Sequence, residues 1–153
     1  MKSVLVVISD TGSTFCLIPV VRLLSTMDLK LKIALSSAAT KIWSDSKLPC
    51  DYLNLEDSIN EKDAKNIVLE FEPDVIISGA GGYNMLEHTF RLIASKLKIF
   101  CFALVDGWGN YKMRFQRELQ GQTVLSIPDS IGVRDKRMYE EMVLAGFDQN
   151  GLV

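Results

Sequence analysis

The chain has 153 residues, of which 48% are hydrophobic and 24% are charged, and its formal net charge is −2. This balance suits a single domain over 1–153 that is long enough to bury a core. The near-neutral charge argues against nucleic acid as a partner, because neutralising phosphates needs a clustered basic surface. No apolar run approaches the roughly 20 residues that span a bilayer, so a transmembrane protein is not expected.

The first residues, MKSVLVVISD, predict a strand and not a signal peptide, because Asp10 and turn residues stand where a cleavage site should lie. Three widely spaced cysteines, Cys16, Cys50 and Cys101, form no C-x-x-C pair, and the chain has one histidine. A zinc site is therefore not expected, and no residues suggest another metal or a cofactor. Reduced thiols suit the cytoplasm, which is the expected location.

The first half of the chain alternates between strands and helices. The continuous β-branched run at 3–8 is typical of a parallel strand that is covered on both faces. The alternating pattern at 29–35 indicates a strand nearer to a sheet edge. The other predicted elements are a helix from about 14 to 27 that contains Pro19, a short helix at 38–44, a weak strand at 51–55, and a helix at 58–71 that is capped by Asp57 or Ser58.

The second half continues the alternation. Leu86, Phe90, Ile93 and Leu97 recur at spacings that place them on one apolar helix face. The remaining predicted elements are strands at 74–78, 99–105 and 131–133, and a helix at 135–145 that is closed by Gly146. The alternation predicts a Rossmann-like α/β fold, with a doubly wound, mainly parallel sheet between two layers of helices.

Three polar, glycine-bearing loops follow predicted strands: SDTGST at 9–14, SGAGGYN at 78–84 and DGWGNYK at 106–112. Ligands of open parallel sheets bind beyond the carboxyl ends of the strands, so we expect the loops to meet at one edge. The candidate ligand-binding residues are Thr11, Gly12, Ser13, Thr14, Gly79, Gly81, Gly82, Tyr83, Asn84, Asp106, Trp108, Asn110 and Tyr111.

Each loop also has a purely structural interpretation. The first loop suits an anion or sugar hydroxyls at a helix N-terminus, or is a simple turn that Ser13 or Thr14 caps. The glycines of the second loop allow close approach of a ligand, or only tight packing. The third loop offers a carboxylate, an amide and aromatic rings to a ligand. Alternatively, Trp108 and Tyr111 close one end of the core while Asp106 caps the next element.

Two further residues follow the second loop. Glu87 falls in the first turn of the predicted helix, where a negative charge is favourable because it interacts with the helix dipole. His88 is the one histidine of the chain, and such residues are more often structural or solvent-facing than catalytic.

Residues 73–115 and 128–147 resemble the N-terminal half of GT-B-fold glycosyltransferases. The similarity is greatest to lipid-A-disaccharide-synthase-like, UDP-N-acetylglucosamine 2-epimerase-like and CDP-glycerol-transferase-like proteins. It lies in two PD-x-[IV] strands, the segment D-x-W-x-N-Y and a closing E-E-x-x-x-x-G-[FY]. Pro19 also matches the opening G-G-H-x-x-P-x-x-x-L motif, although Cys16 replaces its histidine.

The resemblance implies a glycosyltransferase-like, acceptor-side domain or subunit in carbohydrate biosynthesis, with a sugar or nucleotide-sugar ligand. Asp10 or Glu87 would be the catalytic base, because a carboxylate near the acceptor hydroxyl can take its proton. The donor-binding second Rossmann domain of the family would begin after Phe147. We therefore expect a donor-binding transferase subunit as partner and no activity from this domain alone.

The same resemblance leaves other functions open. Peripheral membrane association could come through the partner, and an exposed face near 106–118 predicts a homo-oligomer. The main alternative is a non-catalytic Rossmann-like module that binds a nucleotide, a sugar or a protein. An epimerase or hydrolase that acts alone is disfavoured, because no Ser/His/Asp or Cys/His arrangement is visible.

Overall fold

The protein is an alternation of strands and helices in the computed structural model, which describes residues 1–82 and 85–153. The strands are β1 (Lys2–Ile8), β2 (Leu29–Ser36), β3 (Tyr52–Leu55), β4 (Val75–Gly79), β5 (Phe100–Leu104), β6 (Gln116–Leu119), β7 (Gln122–Leu125) and β8 (Ser130–Gly132). The helices are α1 (Thr11–Leu24), α2 (Ser37–Asp45), α3 (Glu61–Phe71), α4 (Met85–Leu97), α5 (Tyr111–Phe115) and α6 (Lys136–Leu144), followed by a 3₁₀ turn at Gln149–Gly151.

Six strands form one parallel sheet in the order β3-β2-β1-β4-β5-β8. This is the strand order of a doubly wound Rossmann-like sheet, and the order reverses between β1 and β4. The predicted Rossmann-like α/β fold is therefore confirmed. The carboxyl ends of β1, β4 and β5 are adjacent, so the three loops that follow them share one edge of the sheet.

Helices cover both faces of the sheet. Alternate side chains of β1 point to opposite faces, so they pack against different helices. Leu5 and Val7 pack with α3 and α4, whereas Val6 and Ile8 pack with α1 and α2. A third cluster joins α6 to β5 and β8. Cys101 belongs to the buried core, as the apolar run around it predicts. No helix among the described residues is long and apolar enough to cross a membrane.

Two predicted helix starts were wrong. Asp10 caps α1 by accepting from the backbone N–H of Ser13, so Ser13 and Thr14 lie inside the helix. Asn60 caps α3 by accepting from the N–H of Asp63, so α3 begins later than Asp57 or Ser58 would place it. Both helices still start with a short polar side chain that satisfies an N–H group of the first turn.

A hairpin of β6 and β7 was not predicted from the sequence. Its turn residues, Gln120 and Gly121, have φ values of 53° and 76°, a left-handed pair that matches the twist of a two-residue hairpin. The hairpin and the short helix α5 before it fill the chain between β5 and β8. This insertion lies beside the loops at the carboxyl edge of the main sheet.

We expect Asn60→Ala to lower the free energy of unfolding by about 1 kcal/mol, because the N–H of Asp63 loses its acceptor. Ser58→Ala is the matched control, and its effect should stay within about 0.5 kcal/mol. Urea denaturation of the two variants measures both values. Equal effects would show that the cap of α3 does not lie at Asn60.

Candidate functional site

The three glycine-bearing loops meet at the carboxyl edge of the sheet. A methyl group added to Gly12 would overlap the Asp106 carboxylate, and one added to Gly81 would overlap the Asp10 carboxylate. A methyl group on Gly79 would overlap the buried Ser13 side chain. The first loop therefore touches both of the others, and it does so where glycine leaves room.

Asp10 lies at the centre of this meeting point. Its Oδ1 atom accepts from the N–H of Ser13 at 2.8 Å, and its Oδ2 atom points toward Gly81. The N-terminus of α1 is therefore already occupied by a carboxylate, which disfavours a bound anion there. Of the two ligands expected from the sequence, this favours sugar hydroxyls. Thr14 is buried and donates to the Asp10 carbonyl at 2.5 Å, whereas Thr11 is exposed.

Asp106 forms a second carboxylate next to the first. Its Oδ1 atom accepts from Arg114 Nη1 at 2.6 Å, and both side chains are mostly shielded from solvent. The Asp106 Oδ2 atom faces Gly12. Asp106 is therefore fixed by an ion pair and does not cap α5, whose first turn is preceded by Asn110.

Three arginines hold the carbonyl groups of the second loop. Arg91 donates to the Gly79 carbonyl at 2.9 Å and Arg114 to the Ala80 carbonyl at 2.8 Å. Arg117 donates to the Gly81 carbonyl at 3.1 Å. No sequence motif marks these arginines, two of which, Arg114 and Arg117, come from the α5–hairpin insertion.

Glu87 is fully buried beneath the loops. Its two carboxylate oxygens accept from the backbone N–H groups of Ser9 at 2.9 Å and Gly81 at 2.6 Å. Burial raises the pKa of the Glu87 carboxyl, opposed by the Arg91 cation and by the two N–H donors, while Asp10 raises it further. This geometry joins the first loop to the second, which favours a positioning role over contact with a ligand.

His88 is also buried and serves the packing of the insertion. Its Nδ1 atom lies 2.7 Å from Ser126 Oγ. Burial lowers the pKa of His88 to about 4, and the nearby cations of Arg91 and Arg117 lower it further. The imidazole is therefore neutral at physiological pH, in agreement with the structural interpretation.

The aromatic residues of the third loop have different environments. Tyr111 is buried and donates to Glu141 Oε2 at 2.5 Å, so it packs at the end of the core. Trp108 is 46% exposed, and the Arg134 guanidinium lies over its ring at 4.6 Å from the centroid. Trp108 thus remains at the surface of the site, under a cation.

The remaining candidate ligand-binding residues are Asn110, Gly82, Tyr83 and Asn84. Asn110 has a φ of 54° and makes no side-chain cap bond to α5. Among the atoms of residues 1–82 and 85–153, none lies within 4 Å of a methyl group added to Gly82. Tyr83 and Asn84 lie outside the described residues. Within residues 1–82 and 85–153, no three His, Cys, Asp or Glu side chains are placed to hold a metal ion.

Solved structures share this arrangement of strands and helices. UDP-GlcNAc 2-epimerase from Methanocaldococcus jannaschii has a TM-score of 0.76 at 17% identity, over 99% of this chain and 45% of that one. The Neisseria meningitidis epimerase bound to UDP-GlcNAc gives 0.72 at 11%, over 99% and 46%. The Streptomyces sp. SF2575 glycosyltransferase SsfS6 gives 0.52 at 13%, over 69% and 39%.

The chain has the fold of one half of a GT-B-type protein. The resemblance to the N-terminal half of GT-B proteins is thereby confirmed, at identities that establish the fold and not the activity. The chain spans less than half the length of these neighbours. No protein-family model and no curated protein sequence matches the chain.

We expect Gly79→Ala to lower the free energy of unfolding by about 1–3 kcal/mol, because the added methyl group would overpack the buried Ser13 side chain. Gly82→Ala adds the same methyl group where it meets no atom of the described residues within 4 Å, and its effect should stay within about 0.5 kcal/mol. Chemical denaturation compares the two variants. If the two variants lose equal stability, the close contact with Ser13 is not the reason why position 79 requires glycine.

The lowered pKa of His88 predicts a loss of stability in mild acid. Between pH 6.5 and about 4 the unfolded chain binds a proton that the folded chain does not bind, so stability falls as the pH falls. The contribution lost is on the order of 3 kcal/mol. His88→Asn should flatten this part of the profile of unfolding free energy against pH. Parallel profiles for the two proteins would show that His88 titrates normally.

Proposed function

We propose that this domain forms the acceptor side of a glycosyltransferase-like enzyme whose donor is a nucleotide sugar. The observation that carries the proposal is the pair of carboxylates, Asp10 and Asp106, fixed where three loops meet on a GT-B-type fold. The fold likeness to UDP-GlcNAc 2-epimerases and to a glycosyltransferase supports a sugar ligand.

Asp10 is the better placed catalytic base. Its Oδ1 atom is held by the N–H of Ser13, while its Oδ2 atom accepts no hydrogen bond within the described part of the chain. In the proposed transfer, Asp10 Oδ2 takes the proton of the acceptor hydroxyl. The hydroxyl oxygen bonds to the anomeric carbon of the donor, and the nucleoside diphosphate leaves. Asp106 is held by Arg114, so it orients the hydroxyls of the ligand.

Glu87 acts through the loops and does not touch the substrate. Because both of its oxygens accept backbone N–H groups, a proton transfer to a ligand would first break one of these bonds. We therefore assign Glu87 the role of a positioning residue. Glu87 accepts from N–H groups of the loops, and Arg91, Arg114 and Arg117 donate to the carbonyl groups of the second loop.

A second Rossmann domain completes the proposed enzyme by holding the donor. Bringing donor and acceptor together removes much of the entropic barrier of a two-substrate reaction. We propose that a separate donor-binding protein supplies this domain. If a neighbouring reading frame encodes such a domain, mixing its product with this chain should hydrolyse UDP-GlcNAc faster than either protein alone, with water taking the sugar and UDP released.

Two outcomes of the mixing experiment would reject the proposal. If UDP release by the mixture does not exceed the sum of the separate proteins, this chain does not complete a transferase. If this chain alone converts UDP-GlcNAc to its C2 epimer, it is an epimerase and needs no donor partner. Chromatography of the nucleotide sugars distinguishes these results.

Asp10→Asn should lower the rate of UDP release by the mixture by about 10²-fold or more, because the amide cannot take the proton. The KM for UDP-GlcNAc should stay unchanged, since Asp10 acts on the acceptor hydroxyl and does not bind the donor. Asp28→Asn, which also removes one negative charge but at an exposed position, serves as the control and should behave as the unmodified protein. Full activity of the Asp10 variant would remove Asp10 from the catalytic role.

A further inference from the structure

We propose that Arg134, held over the ring of Trp108, binds a phosphate group of the ligand at the rim of the candidate site. The proposal deepens the proposed function by naming a substrate class, a phosphate-bearing sugar compound, and it rests on that function only for the sugar. Nothing in the sequence motifs selects Arg134.

The guanidinium of Arg134 is oriented but not neutralised. It lies 4.6 Å from the centroid of the Trp108 ring. None of the ion pairs among the described residues includes Arg134, and its side chain makes no hydrogen bond there. By contrast, the neighbouring Arg137 lies farther from the ring, at 5.9 Å, and pairs with Glu141 at 2.8 Å. Arg134 therefore keeps its donors for a ligand.

Trp108 is fixed by the loop that carries it. The Asp106–Arg114 ion pair holds the start of the loop, and Arg114 Nε also donates to the Gly109 carbonyl at 3.4 Å. At the end of the loop, Tyr111 is buried and bonded to Glu141. A ring placed this way limits the positions of the Arg134 side chain, which reduces the entropy that the arginine loses when it binds a ligand.

Through its contact with Trp108, Arg134 lies beside the third loop, which also carries Asp106. The Cys16 thiol, in the second turn of α1, lies within electrostatic range of Arg134, Asp106 and Asp10. Burial and Asp106 raise the pKa of the Cys16 thiol, and the Arg134 cation opposes them. Because Trp108 follows Asp106 by two residues in the same loop, the Arg134 cation over its ring lies close enough to the acidic centre for one ligand to reach both.

The charges of the site specify where a phosphate can bind. Asp10 occupies the N-terminus of α1, and Asp106 faces Gly12, so the centre repels an anion. A phosphorylated ligand must then place its phosphate at the rim, where Arg134 is exposed and has no ion-pair partner in the described part of the chain. The planar guanidinium donates two parallel N–H bonds, a geometry that matches a phosphate group.

The indole N–H signals of the two tryptophans allow a direct test by NMR on the ¹⁵N-labelled protein. Trp43 is buried in the α2 core and serves as the internal reference for correct folding. We expect inorganic pyrophosphate and UDP to shift the Trp108 signal in a saturable way and to leave the Trp43 signal in place. Uridine, which lacks the phosphates, should not shift the Trp108 signal.

Arg134→Gln should weaken the binding of pyrophosphate by about tenfold or more, since a hydrogen bond to a charged group is lost. Arg134→Lys should bind with intermediate affinity, because it keeps the charge but not the planar pair of donors. Lys136→Gln removes a nearby exposed cation that pairs with Glu140, and it should bind as the unmodified protein does.

Three results would overturn the assignment: no shift of the Trp108 signal with pyrophosphate, equal affinity in the Arg134→Gln variant, or a shift with uridine and UDP but not with pyrophosphate. The last result would mean that Trp108 stacks on a base. The titration needs neither a partner nor turnover, so its failure is distinct from a failure of the UDP-release experiment.

Discussion

The buried guanidinium of Arg91 is the interaction on which the site and the hairpin both depend. Arg91 is 1% exposed and donates to the carbonyl groups of Gly79, Arg114 and Ser126, at 2.9, 2.8 and 3.0 Å. An arginine buried without acceptors would cost several kcal/mol, so these three oxygens must stay in place. Burial lowers the pKa of Arg91 to about 10, which still leaves it charged at neutral pH.

The position of the hairpin follows from this contact. A two-stranded hairpin is marginally stable alone, and most side chains of β6 and β7 are partly or fully exposed. Arg91 ties the chain on either side of β6 and β7, at Arg114 and Ser126. The insertion in turn supplies Arg114 and Arg117, which donate to carbonyl groups of the second loop. The hairpin is thus part of the scaffold of the site, although it lies outside the main sheet.

The sequence predicted the features that depend on local patterns. The alternation of apolar strands and helices predicted the sheet, and glycines after β1, β4 and β5 predicted loops at one edge. Helix starts were harder, because Asp57, Ser58 and Asn60 are all residue types that cap helices, and only the structure shows that Asn60 accepts from the N–H of Asp63. The hairpin was missed because Gln120–Gly121 lacks the Asn-Gly or Asp-Gly signal of such turns.

The buried charges of the site could not be predicted in the same way. Glu87 and Arg91 are four residues apart on α4, a spacing typical of an exposed ion pair. Here the loops cover Glu87 and the insertion covers Arg91, so charged side chains lie inside the protein. A burial that depends on segments far away in the chain leaves no local pattern. The resemblance to GT-B proteins suggested Glu87 as a catalytic base but indicated neither its burial nor the role of Arg91.

The arginines that bind the second loop constrain its backbone path and not the identity of its side chains. Arg91, Arg114 and Arg117 bind main-chain oxygens, which every residue carries, so the contact sets no requirement on the side chain at the accepting position. The arginines therefore fix the path of this backbone, whereas the requirement for glycine at positions 79 and 81 comes from the neighbouring Ser13 and Asp10 side chains. A comparison of side chains would see isolated arginines, and only the backbone would reveal the shared construction.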